Sequence, residues 1–155
     1  MAAIRELMVT HLIAVDPDTT AQQAAQRMAD NRVGAVIVVA GERLQGILSE
    51  RDLVTRVLAP GKSPDTTRSA DAATTNVVTV DASAPLRSVL ETFRSSRFRH
   101  LPVLDGGEPV GILSTRDFLA FLVGGLEQLI DDARYREQLA SGLDPYDHLG
   151  GSYGQ

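Results

Sequence analysis

The hydrophobic positions between residues 13 and 59 change their spacing in a definite order. The short β-branched run Ile13–Val15 predicts a strand, and apolar residues at helical spacing then predict a helix over residues 20–31. The continuous apolar run Ala35–Ala40 is typical of a buried strand. After a turn at "GER", the letters "GILS" predict another strand, and residues 50–59 predict a closing helix. This part of the chain is therefore predicted to fold as strand, helix, strand, strand, helix.

The same order of elements recurs 65 positions further along the chain. Val77–Val80, residues 85–96 and Leu101–Leu104 repeat the first strand, the helix and the buried strand. The phrase "GILSERD", which begins at Gly46, returns as "GILSTRD" at Gly111. When the chain is aligned with itself at this offset, 12 of 45 pairs are identical, against roughly one in fifteen for ordinary composition. The pattern therefore indicates an internal duplication.

The duplication predicts four segments of the chain. The first repeat covers residues 1–58 and the second covers residues 69–123, with residues 59–68, "APGKSPDTTR", as the linker. The letters "GKS" lack the earlier glycine and the leading strand that a phosphate-binding loop requires, so we interpret them as plain linker. In residues 124–155 an apolar stripe predicts a further helix over residues 124–140, before an irregular tail. The predicted fold is α/β, with two tandem β-α-β-β-α repeats and a C-terminal helical extension.

Composition and charge exclude several classes of protein. Hydrophobic residues make up 43% of the chain, enough for a buried core, but the longest apolar runs are too short to span a bilayer. The absence of cysteine excludes disulfides, thiolate metal sites and cysteine nucleophiles. Arg5 and Glu6 stand where a signal peptide needs apolar residues, so we expect a cytoplasmic protein with no membrane partner. A net charge of −5 argues against nucleic acid as the main partner.

Two interpretations compete for the repeated Ser-x-x-Asp, which is Ser49 with Asp52 and then Ser114 with Asp117. The serine can cap the helix that follows, and the acid three positions later can accept from the amide of the cap residue. Alternatively, free amides at the start of the helix attract a phosphate, and the two oxygens of the aspartate suit the paired hydroxyls of a ribose. The residues alone leave both interpretations open.

The repeated phrase begins with a glycine, Gly46 or Gly111, which leaves room for close approach to the strand. The pattern Gly-apolar-apolar-Ser-x-x-Asp, closing a β-α-β-β-α unit and occurring twice, resembles the CBS domain, named after cystathionine β-synthase. "GAVIVVAGERLQGILSERDL" and "RHLPVLDGGEPVGILSTRDF" carry this resemblance, which extends over about residues 4–123. Two such domains in tandem form a Bateman module. The resemblance implies that the repeats pack around a pseudo-twofold axis and leave two clefts for adenosine ligands.

The resemblance also implies which residues line each cleft, since the aspartate of one repeat works with the first and second strands of the other. The first cleft would take Ser49, Asp52, Val78, Thr79, Val80, Phe98, Arg99 and His100. The second cleft would take Ser114, Asp117, Ile13, Ala14, Val15, Val33, Gly34 and Ala35. The expected ligand is AMP, ADP, ATP or S-adenosylmethionine, and no obligatory cofactor is expected.

The two clefts are not expected to bind alike. Arg99 and His100 stand where related modules often carry phosphate-binding side chains, whereas Gly34 and Ala35 at the matching positions offer no charge. We therefore expect the phosphorylated ligand in the cleft of Asp52. A solvated helix end is the simpler interpretation of the arginine, and the histidine next to an apolar strand also fits a core position.

The leading hypothesis is a nucleotide-sensing module that signals to a downstream protein and forms a homodimer, as the resemblance implies. The alternative is a structural or interaction protein that keeps the fold, binds no ligand and oligomerises through its C-terminal helix. An enzyme is not expected, because His11, His100 and His148 lack a nucleophile or a metal partner at useful spacing. In the tail, Asp144, Asp147 and His148 have no rigid frame that would hold a metal, so we interpret them as solvated.

Overall fold

The computed structural model, which describes residues 4–141, contains two three-stranded sheets of the same topology. In each sheet the first strand pairs with the second in parallel, and the second pairs with the third in antiparallel fashion. The strands are β1 (Ala14–Val15), β2 (Ala35–Ala40) and β3 (Arg43–Ser49) in the first sheet, and β4 (Val80–Asp81), β5 (His100–Asp105) and β6 (Glu108–Ser114) in the second. The predicted α/β fold with two like repeats is confirmed.

The strand register repeats as closely as the strand order. Ala35 pairs with Ser49 in the first sheet and His100 pairs with Ser114 in the second, and β2 and β5 each carry a bulge after their fourth residue. A glycine with positive φ closes each hairpin, and the 63° of Gly41 is a conformation that an L side chain rarely adopts. The Ser-x-x-Asp motif therefore leaves each sheet beside the first residue of the sheet's second strand.

Helices connect the strands and follow each sheet. They are α1 (Ile4–Leu7), α2 (Ala21–Asn31), α3 (Glu50–Asp52), α4 (Ser69–Ala72), α5 (Leu86–Ser95) and α6 (Thr115–Ala140), and a π-helix over Leu53–Leu58 continues α3. A complete capping box starts α2, because Thr20 Oγ1 accepts from the amide of Gln23 and the side chain of Gln23 accepts from the amide of Thr20. The helix ends at Arg32, whose φ of 53° lies in the left-handed region.

The buried face of α2 follows the predicted helical spacing. Ala21, Ala24 and Met28 are buried in one cluster with Val36 and Leu48 of the first sheet. Truncating the fully buried Leu48 to alanine should cost about 2–5 kcal/mol. This core fixes β3, and with it the point at which the first Ser-x-x-Asp motif begins.

The N-terminal segment of each repeat crosses to the sheet of the other repeat. Val9 forms two backbone hydrogen bonds with Ile112 of β6, at 2.9 and 3.0 Å, and Thr74 forms the equivalent pair with Ile47 of β3. The two crossings are equivalent, because Thr74 lies 65 positions after Val9 and Ile112 lies 65 positions after Ile47. This reciprocal exchange joins both repeats into one compact unit that ends at Asp117.

The crossings explain the glycines at the start of the repeated phrase. A Cβ added to Gly111 would lie 2.5 Å from Sδ of Met8, and a Cβ added to Gly46 would lie 3.0 Å from the carbonyl oxygen of Thr74. The close approach expected at these glycines is therefore made by the crossing segments of the chain and not by a ligand.

The strand predicted at Val77–Val80 is shorter in the structure. Thr74 is held at the first sheet by Ile47, so the chain must cross between the sheets before it can pair again. Pairing with β5 begins only at Val80, which lies opposite Val103.

The C-terminal helix is continuous, so the helix predicted to begin at residue 124 has no separate start. Gly124 and Gly125 lie inside α6, and a Cβ added to either would meet no atom within 4 Å. The described residues beyond Asp117 form a second unit. Its exposed apolar side chains recur at helical spacing and include Leu119, Leu122, Leu126, Leu129 and Ile130.

Three further observations concern the described residues, 4–141, and the tail that follows them. None of the helices in this range is long and apolar enough to cross a membrane. Nor does the range contain a group of three or more His, Asp or Glu side chains that could hold a metal ion. The predicted irregular tail, with Asp144, Asp147 and His148, lies outside the described residues.

Candidate functional site

Two cavities lie where β3 and β6 end and the next helix begins. The Asp52 cavity, which Ser49 and Asp52 line, has a volume of about 470 Å³. The Asp117 cavity, which Ser114 and Asp117 line, has a volume of about 800 Å³. Small-molecule sites in proteins typically measure about 300–1,000 Å³, so each cavity is large enough for a small ligand.

Asp52 is held by a complete capping box at the start of α3. Its Oδ2 accepts hydrogen bonds from the amide of Ser49 at 2.9 Å and from Oγ of Ser49 at 2.8 Å, and its own amide donates to Ser49 Oγ at 3.2 Å. The other oxygen, Oδ1, lies 3.7 Å from Nε of Arg56, one helical turn later. The side chain of Asp52 is only 14% exposed, and both of its oxygens have partners within the protein.

Asp117 keeps only part of this arrangement. Oγ of Ser114 donates to Oδ2 of Asp117 at 2.5 Å, and the amide of Asp117 donates to Ser114 Oγ at 3.1 Å. In the described part of the chain, no arginine or lysine forms an ion pair with Asp117. Its Oδ1 oxygen is therefore available to a ligand in a way that Oδ1 of Asp52 is not.

Helix capping, the simpler interpretation of Ser-x-x-Asp, is confirmed, and both aspartates nevertheless line a cavity. The first residue of each following helix also has a partner for its amide. Glu50 donates to the carbonyl of Gly34 at 3.0 Å, and Thr115 donates to the carbonyl of Arg99 at 2.9 Å. Since two of the first three amides of each helix are bonded within the protein, an anion in either cavity would depend on side chains rather than on helix amides.

Arginines from both repeats rim each cavity. The Asp52 cavity combines Arg51 with Arg97, and the Asp117 cavity combines Arg116 with Arg32. The offset of 65 positions relates Arg51 to Arg116 and Arg32 to Arg97, so these are equivalent pairs. Guanidinium groups suit bidentate contact with a phosphate, and the sequence analysis selected none of the four. Both pairs are identical in the self-alignment, and that signal could have found them.

Four residues line both cavities and form a shared wall: Gly34, Glu50, Arg99 and His100. A Cβ added to Gly34 would lie 3.6 Å from Nε2 of His100 and 3.8 Å from Oε2 of Glu50, so these two side chains converge above Gly34. Arg99 and His100, at the start of β5, therefore do not by themselves distinguish the two cavities, because both residues line each of them.

His100 is half-buried at the centre of the shared wall. Burial holds the pKa of its imidazole below the usual value. The carboxylates of Asp117, Glu50 and Asp52 act in the opposite direction without cancelling the effect of burial, and Arg99 lowers the pKa further. The imidazole is thus within electrostatic reach of the acidic groups of both cavities.

A larger number of apolar residues line the Asp117 cavity than the Asp52 cavity. Those of the Asp117 cavity include Leu12, Ile13, Val33, Ala35 and Ile112. The Asp52 cavity has Ile47 and Phe98. Because a flat aromatic base binds best between apolar walls, the larger set of apolar side chains favours the Asp117 cavity for a nucleobase.

Eleven of the sixteen predicted lining residues lie in the cavity for which the sequence selects them. These are Ser49, Asp52, Phe98, Arg99 and His100 in the Asp52 cavity, and Ser114, Asp117, Ile13, Val33, Gly34 and Ala35 in the Asp117 cavity. Each cavity thus combines the Ser-x-x-Asp motif of one repeat with residues of the other.

The other five predicted residues, Ala14, Val15, Val78, Thr79 and Val80, line neither cavity. Val15 and Val80 are buried in the cores of their sheets, because side chains alternate along a strand. Ala14 is exposed, and its carbonyl accepts from Arg27 at 2.8 Å. Val78 and Thr79 lie on the stretch that crosses between the sheets, and Thr79 lines a separate cavity of about 350 Å³.

Comparison with known proteins agrees with this architecture. A family model for the CBS domain matches the chain twice, over residues 4–59 and 70–124. The CBS domain-containing protein YhcV of Bacillus subtilis is 31% identical over 117 residues, which cover 76% of this chain and 83% of YhcV. CBSCBSPB2 of Arabidopsis thaliana is 29% identical over 126 residues, which cover 81% of this chain but only 24% of that longer relative.

A solved structure extends the comparison to three dimensions. The CBS domain protein PAE2072 from Pyrobaculum aerophilum, solved in complex with AMP, aligns with a TM-score of 0.69 at 29% identity. The alignment covers 75% of this chain and 89% of PAE2072.

Proposed function

Because the chain belongs to the CBS-domain family and carries two such domains in tandem, we propose that it is a regulatory module that binds an adenine nucleotide between its repeats. The observation that carries the proposal is that each Ser-x-x-Asp carboxylate lies in a cavity rimmed by arginines from both repeats. Acceptors for a ribose and donors for a phosphate thus meet in one cavity. The complex of the similar protein PAE2072 with AMP supports the same class of ligand.

The Asp117 cavity is the primary nucleoside site in this proposal. Oδ1 of Asp117 is available to accept from a ribose hydroxyl, and Ile13 and Val33 offer apolar surface to the base. The guanidinium groups of Arg32 and Arg116 line the same cavity and are suited to contact a phosphate. The Asp52 cavity is the secondary site, because its carboxylate is already paired.

Binding would act on a downstream protein by shifting a conformational equilibrium. A ligand that contacts both repeats favours the arrangement in which both sets of contacts are made, and a partner protein that prefers that arrangement then responds. In this proposal the chain works as a cytoplasmic homodimer and catalyses no reaction. AMP, ADP, ATP and S-adenosylmethionine are the candidate ligands, since all contain the adenosine group.

Thermal melting with each of these compounds tests the proposal directly. A ligand present at 100 times its dissociation constant should add about 2.7 kcal/mol to the free energy of unfolding. The double variant Asp52→Asn/Asp117→Asn should lose this stabilisation. Glu108→Gln, which neutralises an exposed carboxylate on β6 outside both cavities, should keep it. If no adenosine compound stabilises the wild-type protein, the proposal is wrong.

A structural or interaction protein is the second candidate, and one observation favours it. The capping hydrogen bonds give Ser49 and Asp52 a role without any ligand, while α6 exposes an apolar stripe that includes Leu126 and Leu129. Such a protein would change its oligomeric mass in the variant Leu126→Glu/Leu129→Glu and not in Gln128→Glu, on the opposite face of the helix. Light scattering after size exclusion measures that difference, and a nucleotide-binding module without an α6 interface would show none.

A further inference from the structure

We propose that the two cavities bind phosphorylated ligands with negative coupling, because both depend on a single pair of phosphate-binding side chains, the guanidinium of Arg99 and the imidazole of His100. The inference rests on the proposed function, since it concerns how a nucleotide in one cavity affects binding in the other. It goes beyond that function by assigning a regulatory property to the shared wall.

The geometry of the shared wall carries the first step. Arg99 and His100 line the Asp52 cavity and the Asp117 cavity alike, together with Gly34 and Glu50. The imidazole of His100 lies directly above Gly34, since a Cβ added there would be 3.6 Å from Nε2 and 3.7 Å from Cε1. A phosphate in either cavity that reaches this wall therefore meets the same guanidinium and the same imidazole.

Broken symmetry between the repeats carries the second step. The offset of 65 positions relates Arg99 to Gly34 and His100 to Ala35. A fully symmetric module would give each cavity its own arginine and histidine at these positions. Here the first repeat has two small uncharged residues instead, so two cavities share one pair.

Charge compensation carries the third step. A phosphate bound in one cavity neutralises the charge of Arg99, and the wall that a second phosphate meets then keeps the negative charge of Glu50. His100 already responds to the carboxylates of both cavities, so a charge placed in either cavity changes the potential at this shared side chain. Adenosine, which has no phosphate, should not couple the cavities.

Isothermal titration calorimetry with AMP measures the coupling. Asp52→Asn and Asp117→Asn each leave one cavity with its carboxylate and so report the intrinsic affinity of that cavity. Coupling between two sites usually changes affinity by a factor of about 5–150. We expect the second wild-type AMP to bind about tenfold more weakly than the weaker intrinsic affinity. With adenosine, the wild-type steps should equal the intrinsic affinities.

The outcomes separate this inference from the proposed function. Two AMP molecules that bind with the intrinsic affinities would overturn the coupling and leave the proposed function intact. Failure of the wild-type protein to bind any AMP would overturn both. A single AMP per wild-type chain supports the coupling when each variant also binds one AMP, and overturns it when either variant binds none.

Arg99→Gln tests whether the shared pair is the cause, and Arg99 is exposed, so the core is not disturbed. Introduced into the wild type and into both aspartate variants, it should abolish the tenfold difference. Arg94→Gln, on α5 and outside both cavities, is the matched control and should retain the difference. Coupling of equal size in Arg99→Gln would overturn the assignment to this wall.

Discussion

Asp52 and Asp117 end nearly identical seven-residue stretches, yet the two aspartates differ in how many carboxylate oxygens are available to a ligand in their cavities. Both oxygens of Asp52 have protein partners, whereas Oδ1 of Asp117 is available. The difference lies one turn beyond the motif, where Arg56 in the first repeat corresponds to Phe121 in the second. A duplicated motif therefore reproduces the cap, while a neighbour outside the motif decides how much of the carboxylate remains for binding.

The segments that cross between the repeats widen this difference. The crossing segment of the first repeat contributes Leu12 and Ile13 to the Asp117 cavity, beside the bridge between Val9 and Ile112. The later crossing contributes only Thr74 to the Asp52 cavity. Charge alone ranks the cavities poorly, since Arg99 and His100 are common to both, and the apolar walls are what distinguish them.

Breaking the crossing at Gly111 should have the largest effect. A Cβ there would lie 2.5 Å from Sδ and 2.8 Å from Cγ of Met8, so Gly111→Ala should lower the free energy of unfolding by about 2–3 kcal/mol. Gly46→Ala should cost a similar amount, because its nearest contact at 3.0 Å is the carbonyl oxygen of Thr74, which cannot turn away as the Met8 side chain can. Urea denaturation measures both changes. Met8→Ala should recover part of the loss in Gly111→Ala, and no recovery would mean that the clash is not with Met8.

Removing the available carboxylate should have the next largest effect. Asp117→Asn should weaken binding of the first AMP by about 2 kcal/mol, or roughly 30-fold, because a hydrogen bond to a charged acceptor is lost. Asp52→Asn should weaken it much less, since the first AMP binds in the Asp117 cavity, where Asp52 is not a lining residue. Calorimetric titration of the two variants compares the cavities under the same conditions, and an equal loss would remove the distinction between them.

Much of the architecture could be predicted from the sequence because its signals are local. Helix α2 lies within one residue of its predicted bounds, since the spacing of Ala21, Ala24 and Met28 depends only on helix geometry. The hairpin turns follow from glycines at Gly41 and Gly106, and the motif falls at the strand ends as expected. These elements need no information from the other repeat.

The rest could not be predicted because it depends on contacts between distant parts of the chain. The pairing of Thr74 with Ile47 leaves no periodic pattern, and this crossing keeps the residues around Thr79 out of the cavity in which they are expected. The same limit applies to the shared wall. Sequence assigns Arg99 and His100 to one cleft, and only the packing of β5 between two cavities gives them to both.

The titration of His100 offers a finer comparison of the two cavities. The carboxylate of Asp117 raises the pKa of His100 more than that of Asp52 does, against the larger lowering by burial. Asp117→Asn should therefore lower this pKa further than Asp52→Asn, as read from the imidazole resonances by NMR. A larger shift in Asp52→Asn would reverse the order of the two cavities.

The same lowered pKa makes stability depend on pH. Because His100 binds its proton less readily in the folded state than in the unfolded chain, stability is full above the ordinary histidine pKa of about 6.5. Stability is then lost as the pH falls from there through the folded-state pKa. His100→Gln should flatten this part of the pH profile of the free energy of unfolding, and an unchanged slope would mean that other groups cause it.

The smallest expected effect concerns Arg56, and its sign is more informative than its size. Nε of Arg56 lies 3.7 Å from Oδ1 of Asp52 and so competes with a ribose for that oxygen. In the Asp117→Asn background, where only the Asp52 cavity keeps its carboxylate, Arg56→Gln should strengthen adenosine binding about twofold, the size of a typical i,i+4 ion pair. The same substitution should weaken AMP binding, because a cation is lost.

Arg51→Gln, which lines the cavity without pairing with Asp52, should weaken AMP binding alone. If Arg56→Gln changes the affinities for adenosine and AMP in the same direction, then the carboxylate of Asp52 is not what the ribose contacts, and the two cavities differ for another reason.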